Sequence, residues 1–244
     1  MRKIDRLPLD QATSAALQRL ARTVKRSTRP SQEAATLWRN KSPKTFQPIR
    51  QVLGEMASGR GRCMYCEDSA GTDIEHFYPK QRYPERAFRW TNYLWACSHC
   101  NSNQKRDQFP LLGGKRPALI DPCSVDPAKH LLFLPTTGEY EAIGPRGGKS
   151  IEIFALNDDA PPRKLPTARK QAFDKLQILL MEYDRCVRAK HVAKANDIKT
   201  IIQDEPFSAV LGFLLAIASG PRAGQRTLRP GVSALVRKHR VRGW

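Results

Sequence analysis

The chain has 244 residues, 40% of them apolar and 8% aromatic, which suits one domain with appendages or two small domains and excludes a disordered tail. Lysine and arginine number 42 against 23 aspartates and glutamates, a formal charge of +19, and an excess of that size points to a polyanionic partner, nucleic acid or an acidic membrane surface. The longest charge-free apolar run, residues 206–219, falls short of the roughly 20 residues that span a bilayer, and no apolar stretch follows the charged opening Met1-Arg2-Lys3-Ile4-Asp5-Arg6, so no membrane span or secretory leader is expected and the chain reads as cytoplasmic.

In chain order, Leu9, Ala12, Ala16, Leu20 and Val24 recur at helical spacing and predict a helix over 9–26. Arg29-Pro30-Ser31 breaks it, with Ser31 as the expected cap of a second helix that carries Ala34, Ala35, Leu37 and Trp38 and ends at Ser42-Pro43. A third is predicted over 46–57. Periodicity then fades. A short strand is expected at 72–75, a helix from Ser98 past Lys105, and a hairpin from 131–134 and 139–143 around Pro-Thr-Thr-Gly. A long helix is predicted over 167–202, with Phe173, Leu176, Leu179, Leu180, Tyr183 and Val187 as its buried stripe. A short apolar helix over 206–218 and a basic tail or small basic helix follow. The expected division is basic N-terminal helices at 1–57, a cysteine-bearing core at 58–122, and a hairpin plus helical region with a basic tail at 123–244. Charge follows this division: net +10 in residues 1–62, +1 in 63–122, and +5 in 201–244.

Cys63-Met64-Tyr65-Cys66 and Cys97-Ser98-His99-Cys100 are two CxxC pairs separated by 30 residues. Such turns aim two thiolates at one point, and two of them complete a tetrahedron around Zn²⁺. Disulfides or a redox pair are the alternatives, and an intracellular chain disfavours the first. Four thiolates leave no open coordination position, so this zinc is expected to be structural. Cys123 and Cys186 stand alone and read as buried free thiols. His130, His191 and His239 read as surface residues, and His99 as a surface or backbone-bonding residue.

Between the cysteine pairs lie Asp73-Ile74-Glu75-His76-Phe77-Tyr78-Pro79-Lys80 and Trp90-Thr91-Asn92-Tyr93-Leu94, and Asn101-Ser102-Asn103-Gln104-Lys105 follows the fourth cysteine. An oxygen-ligated Mg²⁺ and an imidazole suffice to hydrolyse a phosphodiester: one stabilises the leaving oxygen, the other takes a proton from water.

This arrangement resembles the HNH endonuclease family. The resemblance implies an α+β fold, a zinc-stabilised ββα-metal finger embedded in a mainly helical protein. It makes His76 the general base, Glu75 and Asn101 the ligands of a catalytic Mg²⁺ or Mn²⁺, and Asn92 a brace that orients the His76 ring. Lys80, Lys105 and Arg106, beside these motifs, are the expected nucleic-acid-binding cations. Two positions depart from the family pattern. The residue before the histidine is Glu75, one methylene longer than the usual Asp, and the family's lysine three places after Asn101 is here Gln104, with Lys105 one later. Asn103 is therefore the alternative ligand to Asn101, and Asp73, on the same strand face as Glu75, a weaker one. Met1-Arg2-Lys3-Ile4, Phe88-Arg89-Trp90-Thr91-Asn92 and Leu119-Ile120-Asp121-Pro122 extend the likeness to the PtuB-like nucleases of Septu-type and retron-associated anti-phage systems. That resemblance implies DNA as substrate, a defence role, and an ABC/SMC-type ATPase as partner; the helical region after Thr167, outside the finger and not needed to build it, is the expected dock. The rival readings are a zinc-ribbon nucleic-acid-binding module without chemistry and an assembly subunit.

Overall fold

The structure, a computed structural model, describes residues 1–243. Helix α1 (Gln11–Arg26) starts on Asp10, whose carboxylate accepts the Thr13 N–H at 2.8 Å, and ends on Lys25 and Arg26. Both ends suit the helix dipole. Helix α2 (Pro30–Arg39) begins on its proline, not on a Ser31 cap. The missing N–H is harmless in a first turn, and the Ser31 hydroxyl is free to donate to Gln81 O at 3.0 Å. Pro43 likewise opens α3 (Pro43–Met56), which starts three residues before the predicted boundary and buries Phe46, Ile49, Leu53 and Met56.

Strands β1 (Asp73–His76) and β2 (Tyr93–Ala96) pair antiparallel, in the register Asp73↔Ala96 through His76↔Tyr93. The predicted helix after Ser98 is a π-helical turn, His99–Lys105. Two-residue strands β3 (Leu111–Leu112) and β4 (Arg116–Pro117) pair next. The predicted hairpin follows as β5 (Leu131–Phe133) and β6 (Tyr140–Ala142). Its turn holds Gly138 at φ +80°, where an added Cβ would lie 1.9 Å from Pro166 O. Gly138→Ala combines left-handed strain with a clash against backbone, and is expected to lower stability by about 2–4 kcal/mol in a denaturant titration.

Helix α4 (Gly144–Ile153) was not predicted. Its sequence opens Gly-Pro and contains Gly147-Gly148, all weak helix formers. Packing decides instead: a Cβ on Gly147 would meet His130 O at 2.0 Å, so only glycine lets this helix lie against the hairpin. The single long helix expected over 167–202 is two, α5 (Leu165–Arg188) and α6 (Val192–Gln203). Lys190 turns left-handed at φ +60° and the His191 N–H bonds back to Cys186 O at 2.9 Å, a helix-terminating arrangement that no proline or glycine announces. Within α5, Phe173, Leu176 and Leu180 are buried as expected, whereas Val187 is 39% exposed. Helix α7 (Ser208–Ser219) follows, then α8 (Arg222–Gln225) and α9 (Val232–Lys238). The basic tail folds back: Val232, Val236 and Val241 are buried. Lys238 Nζ and His239 Nε2 lie 2.6 and 2.8 Å from Asp184 Oδ1, so His239 is a hydrogen-bond partner of Asp184 and not a surface residue. Among the described residues no single helix is long and apolar enough to cross a membrane. Helices α6 and α7 reach that length only together, and they bend by 108° at their junction.

Long-range contacts join these segments around the β1–β2 hairpin. Arg6 donates to the carbonyls of Trp90 and Tyr93, both at 3.0 Å. Glu67, immediately after Cys66, accepts from the Ser208 hydroxyl and the Ala209 N–H at 3.0 and 3.3 Å. A carboxylate at a helix start satisfies unpaired N–H groups and opposes the dipole, so the cysteine knuckle anchors α7. Arg169, buried in α5, stacks on Tyr140 at 4.3 Å and donates to Gly138 O and Leu156 O, which ties α5 to the second hairpin.

Candidate active site and metal centre

The four cysteines converge. Cys63 and Cys66 lie before β1, Cys97 directly follows β2 and Cys100 lies in the first turn of the π helix, so the hairpin itself brings the two knuckles together. All four sulfurs are buried within 4.8 Å of one another, and Cys66 Sγ and Cys97 Sγ are 3.9 Å apart. Zinc–sulfur bonds of 2.3 Å in a tetrahedron require sulfurs about 3.8 Å apart, so the cluster fits a zinc ion. A second observation agrees. Arg163 places Nη2 4.0 Å from Cys100 Sγ, and its Nε and Nη1 are buried with no hydrogen-bond partner among the described residues. Buried guanidinium donors without acceptors are costly. A tetrathiolate zinc centre carries two net negative charges and supplies what neutral thiols do not. His99 stays outside the cluster and pairs with the Gln104 side chain at 3.1 Å. Cys186 is a buried free thiol, and burial pushes half-buried Cys123 up to about 11.

The residues of the HNH-like pattern come from β1, the loop after it and the π turn after β2. Glu75, His76, Lys80, Asn101 and Arg106 line one cleft of about 360 Å³, together with Trp38 from α2. His76 is buried between Trp38 and Tyr93, with ring centroids 4.2 and 5.3 Å away. Its Nε2 lies 2.9 Å from Ala87 O. A carbonyl only accepts, so Nε2 carries the hydrogen and Nδ1 keeps the lone pair. Burial, then Lys80, Lys105 and Lys41, push this imidazole down to about 3, against the opposing pull of the Ala87 carbonyl. It is neutral at physiological pH.

Asn92 holds the loop that positions Ala87. Its Oδ1 accepts the Tyr78 N–H at 2.7 Å, and its Nδ2 donates to Tyr78 O at 3.0 Å and Arg86 O at 3.1 Å. One buried side chain thus fastens both arms of the 77–92 loop. Asn92→Ala leaves those loop groups unpaired and is expected to cost about 2–4 kcal/mol, read as a lower denaturation midpoint, with zinc content unchanged.

One placement differs from the sequence reading. Lys105, expected at a nucleic-acid surface, is fully buried: its ammonium lies 2.5 Å from Glu75 Oε1 and donates to His76 O at 2.9 Å. Asn101 Nδ2 donates to Asp73 Oδ2 at 3.1 Å, so Asn101 is partnered with Asp73 and Glu75 with Lys105. Asn103 is exposed, away from the cleft lining. Burial raises the Glu75 carboxyl above its usual range, against the pull of Lys105 and Lys80. Lys80 is half-buried over the Trp38 face at 6.0 Å, and Arg106 is exposed at the cleft rim.

Two contributors escaped the sequence reading. The Ala87 carbonyl carries no side-chain signal, and Trp38 reads only as one more apolar helical residue.

No protein-family model and no solved structure matches the chain. Two curated proteins named Septu protein PtuB do. The one from Bacillus mycoides (strain KBAB4) is 29% identical over 164 residues, 54% of this chain and 55% of that protein. The one from Bacillus thuringiensis is 31% identical over 114 residues, 45% of this chain and 41% of that protein. The relationship is of the PtuB type. The chain spans about half the length of the curated relatives it matches.

Proposed function

We propose that this chain is the HNH-type nuclease component of a Septu-like anti-phage system, hydrolysing DNA phosphodiester bonds with Mg²⁺ or Mn²⁺ on a zinc-stabilised ββα finger. The observation that carries the reading is the His76 ring, tethered through Nε2 to a carbonyl whose loop Asn92 fastens at both arms. A merely structural histidine has no need of such a brace. A general base does, because its lone pair must keep one direction.

In this reading a DNA phosphate enters the cleft between Lys80 and Arg106, and Nδ1 of His76 accepts the proton of the attacking water. Phosphate charge beside Lys80, Lys41 and Lys105 offsets the cations that depress the imidazole, and so raises its basicity as substrate binds. Glu75 and Asn101 would hold Mg²⁺, which supplies charge stabilisation for the pentavalent phosphorus and the leaving oxygen. The buried carboxylate of Glu75, with Asp73 and Asn101 beside the cleft, is an oxygen donor set of the kind such hard cations take. The PtuB relationship extends the proposal to an ATPase partner of the ABC/SMC type, docked on the helices after Thr167, and to a cytoplasmic location.

Zinc-loaded protein incubated with supercoiled plasmid and Mg²⁺ is expected to give nicked and linear product. Retention of plasmid on the protein with no strand broken would favour the non-catalytic zinc-ribbon reading instead.

A further inference from the structure

The Glu75–Lys105 pair sits where the proposed catalytic cation would bind. Its two side chains are 3% and 0% exposed and 2.5 Å apart. Glu75 is thus neutralised inside the protein. Asn101, the other proposed ligand, points its amide nitrogen at Asp73 and not at Glu75. Both donors are engaged internally, and an ammonium and a divalent cation in van der Waals contact with one carboxylate repel strongly at low dielectric. They do not occupy this site together.

The helix after β2 explains how the lysine arrives there. An α-helical turn would bring residue 104 back beside Asn101, and residue 104 is glutamine. The turn is π-helical instead, closed by the Arg106 N–H to Asn101 O bond at 2.8 Å, an i→i+5 spacing. The wider turn accommodates the extra residue and swings Lys105 inward. Arg106 then leaves at φ +50°, in the left-handed region. Single π turns are rare and cluster at functional sites.

Resting on the nuclease reading above, we propose that Lys105 stands in for the divalent cation at Glu75 and sets the metal affinity of the site: Mg²⁺ binds only as the Lys105 ammonium withdraws. The site is held metal-poor by the chain's own lysine. A nuclease that stays quiet in its host needs such a restraint.

The test measures Mn²⁺ binding by the loss of free-ion paramagnetic resonance, on zinc-loaded full-length protein without DNA. Wild type is compared with Lys105→Met, Lys105→Gln and Glu75→Gln, and with the Lys105→Gln/Glu75→Gln double variant. Lys105→Gln keeps a donor for His76 O, which guards against Lys105→Met failing to fold around an unpaired carboxylate. The expected result is Mn²⁺ binding roughly tenfold tighter or more in both Lys105 variants, abolished in the double variant. A larger Mn²⁺-induced rise in melting temperature should accompany it in Lys105→Gln than in wild type. Glu75-dependent binding of equal affinity in wild type and Lys105→Gln overturns the role of Lys105 and leaves the nuclease reading standing. Absence of Glu75-dependent binding in every protein overturns both.

Discussion

Cys100→Ser is expected to remove most or all of the folding free energy. The four cysteines are among the most buried residues of the chain, and the two knuckles flank the hairpin that carries the cleft. Structural zinc contributes on the order of 10 kcal/mol, against a total stability of about 5–15 kcal/mol for a typical domain. Without it, four thiols crowd within 4.8 Å and Arg163 has no counter-charge. The loss also spreads: Glu67 follows Cys66 directly and caps α7, so an unfolded knuckle releases the C-terminal helices. The variant should be recovered as insoluble or expanded protein, while wild type carries one zinc per chain by elemental analysis. Soluble, fully folded wild type with no zinc would refute the metal centre.

His76→Ala is expected to lower the DNA cleavage rate roughly 10²–10⁴-fold, the range for loss of a general base, with little change in zinc content. The fold tolerates the change better than the chemistry does. The substitution leaves a cavity between Trp38 and Tyr93, for about 2–3 kcal/mol. The Ala87 carbonyl keeps its second donor, the Tyr93 hydroxyl at 2.8 Å. Asn92 and its three bonds are untouched, so the loop keeps its shape. Rates are compared at single turnover, on preparations matched for zinc and for circular dichroism. A variant that cuts at the wild-type rate contradicts the assignment of His76.

The cysteine cluster is legible in the sequence because its residue type and spacing admit few other uses. Two CxxC pairs locate a tetrahedral sulfur site without knowledge of the fold. Asn92 stands out only by resemblance to the family, and in the fold its side chain bonds to Tyr78 and Arg86. Lys105 was misread because local sequence does not reveal a π turn. Against the family pattern Lys105 falls one place late, beside cations that suit a nucleic-acid surface, whereas the π turn buries it against Glu75. The break between α5 and α6 was invisible for a similar reason: Lys190 adopts a left-handed conformation that its side chain does not favour, imposed by the helix end around it. Helix α4 shows the converse, glycines that argue against a helix locally and permit its close packing globally. Trp38 lies 38 residues before His76 in the chain and meets it only in the folded protein, so the contribution of α2 to the cleft had no sequence signal.

The roles proposed for His76 and Glu75 separate a proton acceptor from a metal ligand, and one titration distinguishes them. Cleavage of supercoiled plasmid is measured against Mg²⁺ concentration for wild type, Glu75→Ala and His76→Ala, all zinc-loaded. Wild-type cleavage should rise with Mg²⁺ and saturate. Glu75→Ala should need far more Mg²⁺ and recover part of the rate, and His76→Ala should stay slow at every concentration. Equal cleavage by wild type and His76→Ala across the series, or wild-type cleavage that needs no added divalent cation, would contradict the account.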